Sequence, residues 1–127
     1  MSDRQLTDGS PVPEDGSHTK LRSDGQQVGY VVLTPEERAK GFIQPVRNKY
    51  VHKTCGVVTR MGQSLSETYA RDPWFYSGTF CVGCGTHFPL EEFTWDGTTE
   101  SLDPKDWSDE KIAQVQAAKK ARKEKTP

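Results

Sequence analysis

His52-Lys53-Thr54-Cys55-Gly56 and Cys81-Val82-Gly83-Cys84-Gly85 share one layout: two soft metal ligands, two residues between them, and a glycine directly behind. Together His52, Cys55, Cys81 and Cys84 make a four-ligand metal site of the Cys₃His type. Two intervening residues let a tight turn aim both side chains at a single ion, and the trailing glycine lets the backbone bend away through positive φ. The expected occupant is one structural Zn²⁺, because thiolate and imidazole together suit zinc and four ligands complete its tetrahedron. The 25 residues between Cys55 and Cys81 leave room for a helix or a hairpin.

This assignment uses every cysteine in the chain. The rival readings are three cysteines acting as small buried hydrophobes, or a redox disulfide between Cys81 and Cys84. The disulfide would leave Cys55 over, and no βαβ pattern surrounds it. His87 is a rival fourth ligand, since Cys84-x₂-His87 repeats the spacing, but His52 pairs with Cys55 and mirrors the second knuckle. His18 lies far upstream in polar sequence and is read as a bystander. A catalytic zinc keeps an open position, commonly with a carboxylate close by as in the His-x-Glu pattern of deaminases. Here the residue two beyond His52 is Thr54, and no phosphate loop, Ser-His-acid set or His-Glu-x₂-His motif occurs. Glu91 and Glu92 are expected in a strand, pointing to opposite faces. The chain is therefore expected not to be an enzyme, with a metal-dependent hydrolase as the remaining alternative.

The elements that must position these ligands are short. Only 32% of the 127 residues are hydrophobic and mean hydropathy is −0.80, so less than the whole length is expected to pack. Residues 1–27 carry turn and linker composition and are expected to form a disordered arm. The zinc-binding domain is expected over 28–99. Val28–Leu33 is β-prone, and Thr34-Pro35-Glu36-Glu37 spells a capped helix start that Gly41 stops. Strands are expected over Val46–Val51, Val57–Thr59, Thr79–Cys81 and Phe88–Trp95, the last closed by Asp96-Gly97. Between the knuckles, Ser64-Leu65-Ser66-Glu67 reads as a second capping box, with Leu65 and Tyr69 on one helix face and Asp72-Pro73 as the stop. Residues 100–127 are expected to be an acidic linker anchored at Trp107, then a weakly attached helix capped at Ser108 and ending in a basic tail. The fold class is α+β: short antiparallel strands and one or two short helices, in a domain small enough to need metal for its stability.

Charge is near balance, −1 overall, but segregated: +4 over residues 41–66, −8 over 67–110 and +5 over 111–127. A global polyanion-binding field is thus excluded, and nucleic-acid contact must be local. The candidate surface is Arg47, Lys49, Lys53 and Arg60 for phosphates, with Trp74 or Tyr76 for base stacking. The expected partner is nucleic acid or protein, with no small-molecule substrate and no membrane, since no stretch approaches the roughly 20 apolar residues of a span. Three cysteines and no signal-peptide pattern in the opening residues predict a reducing, intracellular (cytoplasmic) setting.

The two knuckles and their flanking β-prone segments resemble the zinc-ribbon group. That resemblance implies metal binding and, for function, a nucleic-acid, protein-docking or purely structural module. The phrases Thr34-Pro35-Glu36-Glu37-Arg38-Ala39-Lys40-Gly41-Phe42, Glu67-Thr68-Tyr69-Ala70-Arg71-Asp72-Pro73 and Cys84-Gly85-Thr86-His87-Phe88-Pro89 resemble a small family of phage and prophage-associated proteins. This second resemblance implies no activity, only the alternative of a structural or host-factor-binding accessory in a phage-type assembly.

Overall fold

Strand-forming residues come in runs of three or four, bounded by Gly, Pro and Asp, and the computed structural model, which describes residues 4–124, builds them into three small antiparallel units. In chain order the first two strands are β1 (Arg4–Leu6) and β2 (Val31–Leu33), which pair with each other with Leu6 opposite Val31. Helix α1 (Pro35–Arg38) follows at once. The Thr34 hydroxyl accepts from the Glu37 N–H at 3.4 Å, as the cap signature predicts. Glu37 itself does not reach back but pairs with Lys40 at 2.6 Å.

A three-stranded sheet holds the centre, in the order β4-β3-β7. It comprises β3 (Lys49–His52), β4 (Val58–Arg60) and, after helix α2 (Gln63–Arg71), the hairpin β5 (Gly78–Cys81) and β6 (Thr86–Pro89), the last strand β7 (Phe93–Trp95). One core cluster sits between these elements. It contains Tyr50 from β3, Met61, Tyr69 from α2, Cys81, Leu90, Phe93, Trp95 and Leu102, with Leu65, Tyr76 and Phe88 packed on its edge. Tyr50, Trp95 and Phe93 meet because β3 pairs with β7, Tyr50 opposite Trp95 and His52 opposite Phe93.

Four expectations change. Residues 4–27 are not a free arm: β1 is paired, Leu6 is buried, and Asp8, Asp15 and Asp24 each accept a backbone N–H two residues on at 2.9–3.0 Å. Linker composition here encodes successive Asx-turns, in which short carboxylates replace the missing ladder hydrogen bonds. Helix α2 starts one residue before the expected box, capped by extended Gly62 with no side-chain hydrogen bond. The serine and threonine hydroxyls bond backwards instead, Ser66 to the Gly62 carbonyl and Thr68 to that of Ser64. The expected strand Phe88–Trp95 is broken by a 3₁₀ turn over Leu90–Glu92, because Leu90 turns into the core with 1% exposure and its N–H goes to the Ser77 carbonyl.

The fourth change concerns the polar C-terminal region, which is anchored more firmly than its composition suggests. Trp107 is buried, donates its indole N–H to the Ser101 carbonyl at 2.9 Å, and meets Trp74 edge to face. Helix α3 (Asp109–Glu124) begins at Ser108 as expected, buries Val115, and ties back through Lys119 to Asp72 at 2.9 Å. The side chains of Arg122 and Lys123, and all of Lys125, which would make up the basic tail, lie outside the described residues. No described helix is long and apolar enough to cross a membrane.

Candidate metal centre

Both knuckles are hairpin turns, and they close in the same way. The Gly56 N–H donates to the His52 carbonyl at 2.8 Å and the Gly85 N–H to the Cys81 carbonyl at 2.8 Å. Gly56 and Gly85 take φ of 72° and 69°, where a side chain would be strained. Each turn therefore presents its first ligand from the end of a strand, β3 or β5, and its second from the tip. The sheet and the β5–β6 hairpin then bring the two turns face to face. A Cβ on Gly83 would lie 2.7 Å from Cγ2 of Val57, so absence of a side chain at Gly83 lets the knuckles touch.

The donor atoms of His52, Cys55, Cys81 and Cys84 all lie within 4.8 Å of one another. Cys55 Sγ is 3.5 Å from Cys81 Sγ, and Cys84 Sγ is 3.6 Å from His52 Nδ1. Ideal tetrahedral zinc, with Zn–S about 2.3 Å and Zn–N about 2.0–2.1 Å, has S–S edges of about 3.8 Å and S–N edges of about 3.5 Å. The cluster thus has the dimensions of a tetrahedral site and could hold a metal ion. All three thiols are free. The inner pair, His52 and Cys81, is buried, and the outer pair at the turn tips is exposed.

Electrostatics around the cluster favour a cation. The Val57 backbone N–H, and then His52 and the other two sulfurs, hold the Cys55 thiol down to about 7. Desolvation, followed by the neighbouring Cys81 and Cys55 sulfurs, pushes Cys84 up to about 11. Three adjacent thiols cannot all ionise beside one another without a positive charge among them, and a metal ion supplies it. Burial draws the His52 pKa down, but its contacts with Glu92 and Cys55 outweigh that and raise it overall.

Glu92 is the residue that spacing did not reveal. Its Oε1 lies 2.9 Å from His52 Nε2, which assigns the N–H to Nε2 and leaves the Nδ1 lone pair facing the sulfurs. The His52 ring is further fixed by stacking on Phe88, centroids 4.4 Å apart. The available signal was chemical: a ligating histidine needs an acceptor on its second nitrogen, and an acid near the knuckles in space had to supply it. The expected strand at 88–95 hid it, because only the turn at Leu90–Glu92 brings Glu92 to the end of β3. His87 is elsewhere: its Nε2 is 2.8 Å from the Tyr30 hydroxyl and its ring packs on Tyr30 and Phe80, outside the cluster.

The six residues of the expected nucleic-acid surface separate. Arg47 is half-buried over the Trp95 ring at 4.6 Å, pairs with Glu100 at 2.5 Å, and is drawn down to about 10 by burial. Lys53 donates to the Glu91 carbonyl at 2.9 Å. The Tyr76 hydroxyl donates to the Val31 carbonyl at 2.6 Å while its ring packs on Tyr69. Trp74 is half-buried, with Lys119 over its ring at 5.4 Å. Lys49 and Arg60 remain outward, opposite each other in the β3–β4 register. No protein-family model, curated protein or solved structure matches the chain.

Proposed function

We propose that this chain is a non-catalytic zinc-binding module whose single metal ion is structural and whose role is to contact another macromolecule, nucleic acid or protein. The observation that supports it is the pair of identically closed hairpin turns that direct four donors at one point, with no fifth His, Cys, Asp or Glu donor in the cluster among the described residues. Three thiolates and an imidazole with tetrahedral edges suit Zn²⁺, and a four-ligand set leaves no coordination position for substrate. The metal joins the central sheet to the β5–β6 hairpin, two units that otherwise meet at a core cluster of eight buried residues among those described.

For nucleic acid, the supporting basic surface shrinks to the exposed Lys49, Lys53 and Arg60, since Arg47 and Tyr76 are committed to internal contacts. So few phosphate contacts give weak, salt-dependent and sequence-independent binding. A protein partner is favoured by the apolar residues beside the knuckles: Val57, Val58 and Val82 are 38%, 43% and 56% exposed.

Two measurements test this reading. Metal analysis of the purified protein is expected to give one zinc per chain, and removal by a strong chelator to abolish amide NMR dispersion; a metal-free sample that keeps a dispersed spectrum overturns the structural role. Fluorescence anisotropy with single- and double-stranded DNA and RNA at low salt then decides the partner class. Binding that a Lys49→Glu/Arg60→Glu pair weakens for all sequences alike supports nucleic acid, and its absence leaves protein.

A further inference from the structure

Beside the metal centre the fold forms a half-open cavity of about 670 Å³, within the range of small-molecule sites. Tyr50, Tyr69, Tyr76 and Phe80 supply aromatic surface, and Met61 and Leu65 add apolar surface. The solvent-exposed lining residues are Thr7, Arg22, Val28, Arg60, Gly62 and Val82, so Arg22 and Arg60 are the two charged groups at the rim. The outer wall is the segment 21–27, closed by the Leu21–Gln27 bridge and seated on the second knuckle, where Gly25 packs so closely that a Cβ would meet the Gly85 carbonyl oxygen.

Two features of this lining select a ligand. Three of the four lining tyrosine hydroxyls are already engaged: Tyr50 with the Phe80 carbonyl, Tyr76 with that of Val31, and Tyr30 with His87. What the walls offer is ring surface, which suits a planar aromatic body. The second feature is charge. Among the described residues no Asp or Glu lines the cavity, and Arg60 has no acidic partner. Arg22 has only an exposed pairing with Asp24 at 3.3 Å. From this combination we infer that the cavity binds a small aromatic anion, its ring among the tyrosines and its carboxylate or phosphate at Arg60 and Arg22. This goes beyond the interaction role proposed above and does not depend on it.

The test is ligand-observed NMR on the full, metal-loaded chain with three probes: indole-3-acetate, adenosine 5′-monophosphate and tryptamine. At least one of the two anions is expected to bind, and which one reports whether carboxylate or phosphate is preferred. Tryptamine is expected to bind at least about tenfold more weakly, and Arg60→Glu to weaken the anion by about tenfold or more. Lys49→Glu, which leaves the cavity lining intact, should change nothing, which separates this site from the outer basic face. Leu65→Trp, which places an indole in the space, should abolish binding; Arg60 is exposed, so Arg60→Glu keeps the test decisive if that variant does not fold. Failure of both anions at millimolar concentration, equal binding of tryptamine, or indifference to Arg60→Glu overturns the inference. Metal content, measured on the same samples, distinguishes this failure from failure of the zinc assignment.

Discussion

His52 offers two ring nitrogens, and the 2.9 Å contact of Nε2 with Glu92 decides which one is left for a metal. Acceptors on the outer nitrogen of a ligating histidine fix its tautomer and orientation, and their loss typically lowers metal affinity about 10–100-fold. Glu92→Ala is therefore expected to weaken zinc binding by that factor with stoichiometry unchanged, read by competition with a chromophoric chelator; an unaltered affinity would remove Glu92 from the site. His52→Ala should abolish tight binding. His87→Ala should keep one metal per chain and lose only the Tyr30 contact and ring packing, a modest stability loss of about 1 kcal/mol. If instead His87→Ala loses the metal and His52→Ala retains it, the ligand set is wrong. The ligand pairs themselves were legible in the sequence, because a two-residue spacing with glycine behind is a local device that needs no tertiary information. Glu92 was not, because its partner is 40 residues away and an intervening turn sets the approach.

Individual elements carry their own signals with uneven fidelity. The Thr34 cap, the stop at Asp72-Pro73 and the turn at Asp96-Gly97 all sit where local chemistry puts them, since each depends on backbone geometry within four residues. The break at Leu90 and the start of α2 at Gln63 depend on burial, which local pattern does not show. Contact between elements is where a single atom matters most. Gly83→Ala would put a methyl 2.7–2.8 Å from Cγ2 and Cβ of Val57, and Val57 is too stiff at χ1 to yield easily. The expected cost is about 1–3 kcal/mol in chemical denaturation of the zinc-loaded protein. Adding Val57→Ala should recover a large part of it, since the clash is with side chain and not backbone. Additive losses in the double variant would show that the two knuckles do not touch through this pair.

At the scale of the whole molecule, pH should report how the pieces depend on each other. All four tyrosines are shifted upward, each chiefly by burial, with Tyr50 reaching about 12. A tyrosine released by unfolding ionises near its ordinary value, so the stability from keeping these phenols neutral is fully present below about pH 10 and is lost as pH rises toward the folded-state values. Tyrosinate absorbance should therefore rise together with the loss of near-ultraviolet circular dichroism in one alkaline transition; independent titration of all four near pH 10 in a folded protein would contradict it. On the proposed zinc assignment, acid acts through the metal: protons compete for the thiolates and the imidazole, so zinc should be released as pH falls, with loss of structure following it. The candidate ligand types, their pairing and spacing, the α+β character and the caps at Thr34 and Ser108 were fixed along the chain, because these follow from sequence neighbours. Only the tertiary structure decided that residues 4–27 join the fold, that Arg47 and Tyr76 turn inward, that Glu92 meets His52, and that a tyrosine-lined cavity lies beside the knuckles. Each of those depends on which distant surface is left to cover, and burial between segments tens of residues apart leaves no mark in local composition.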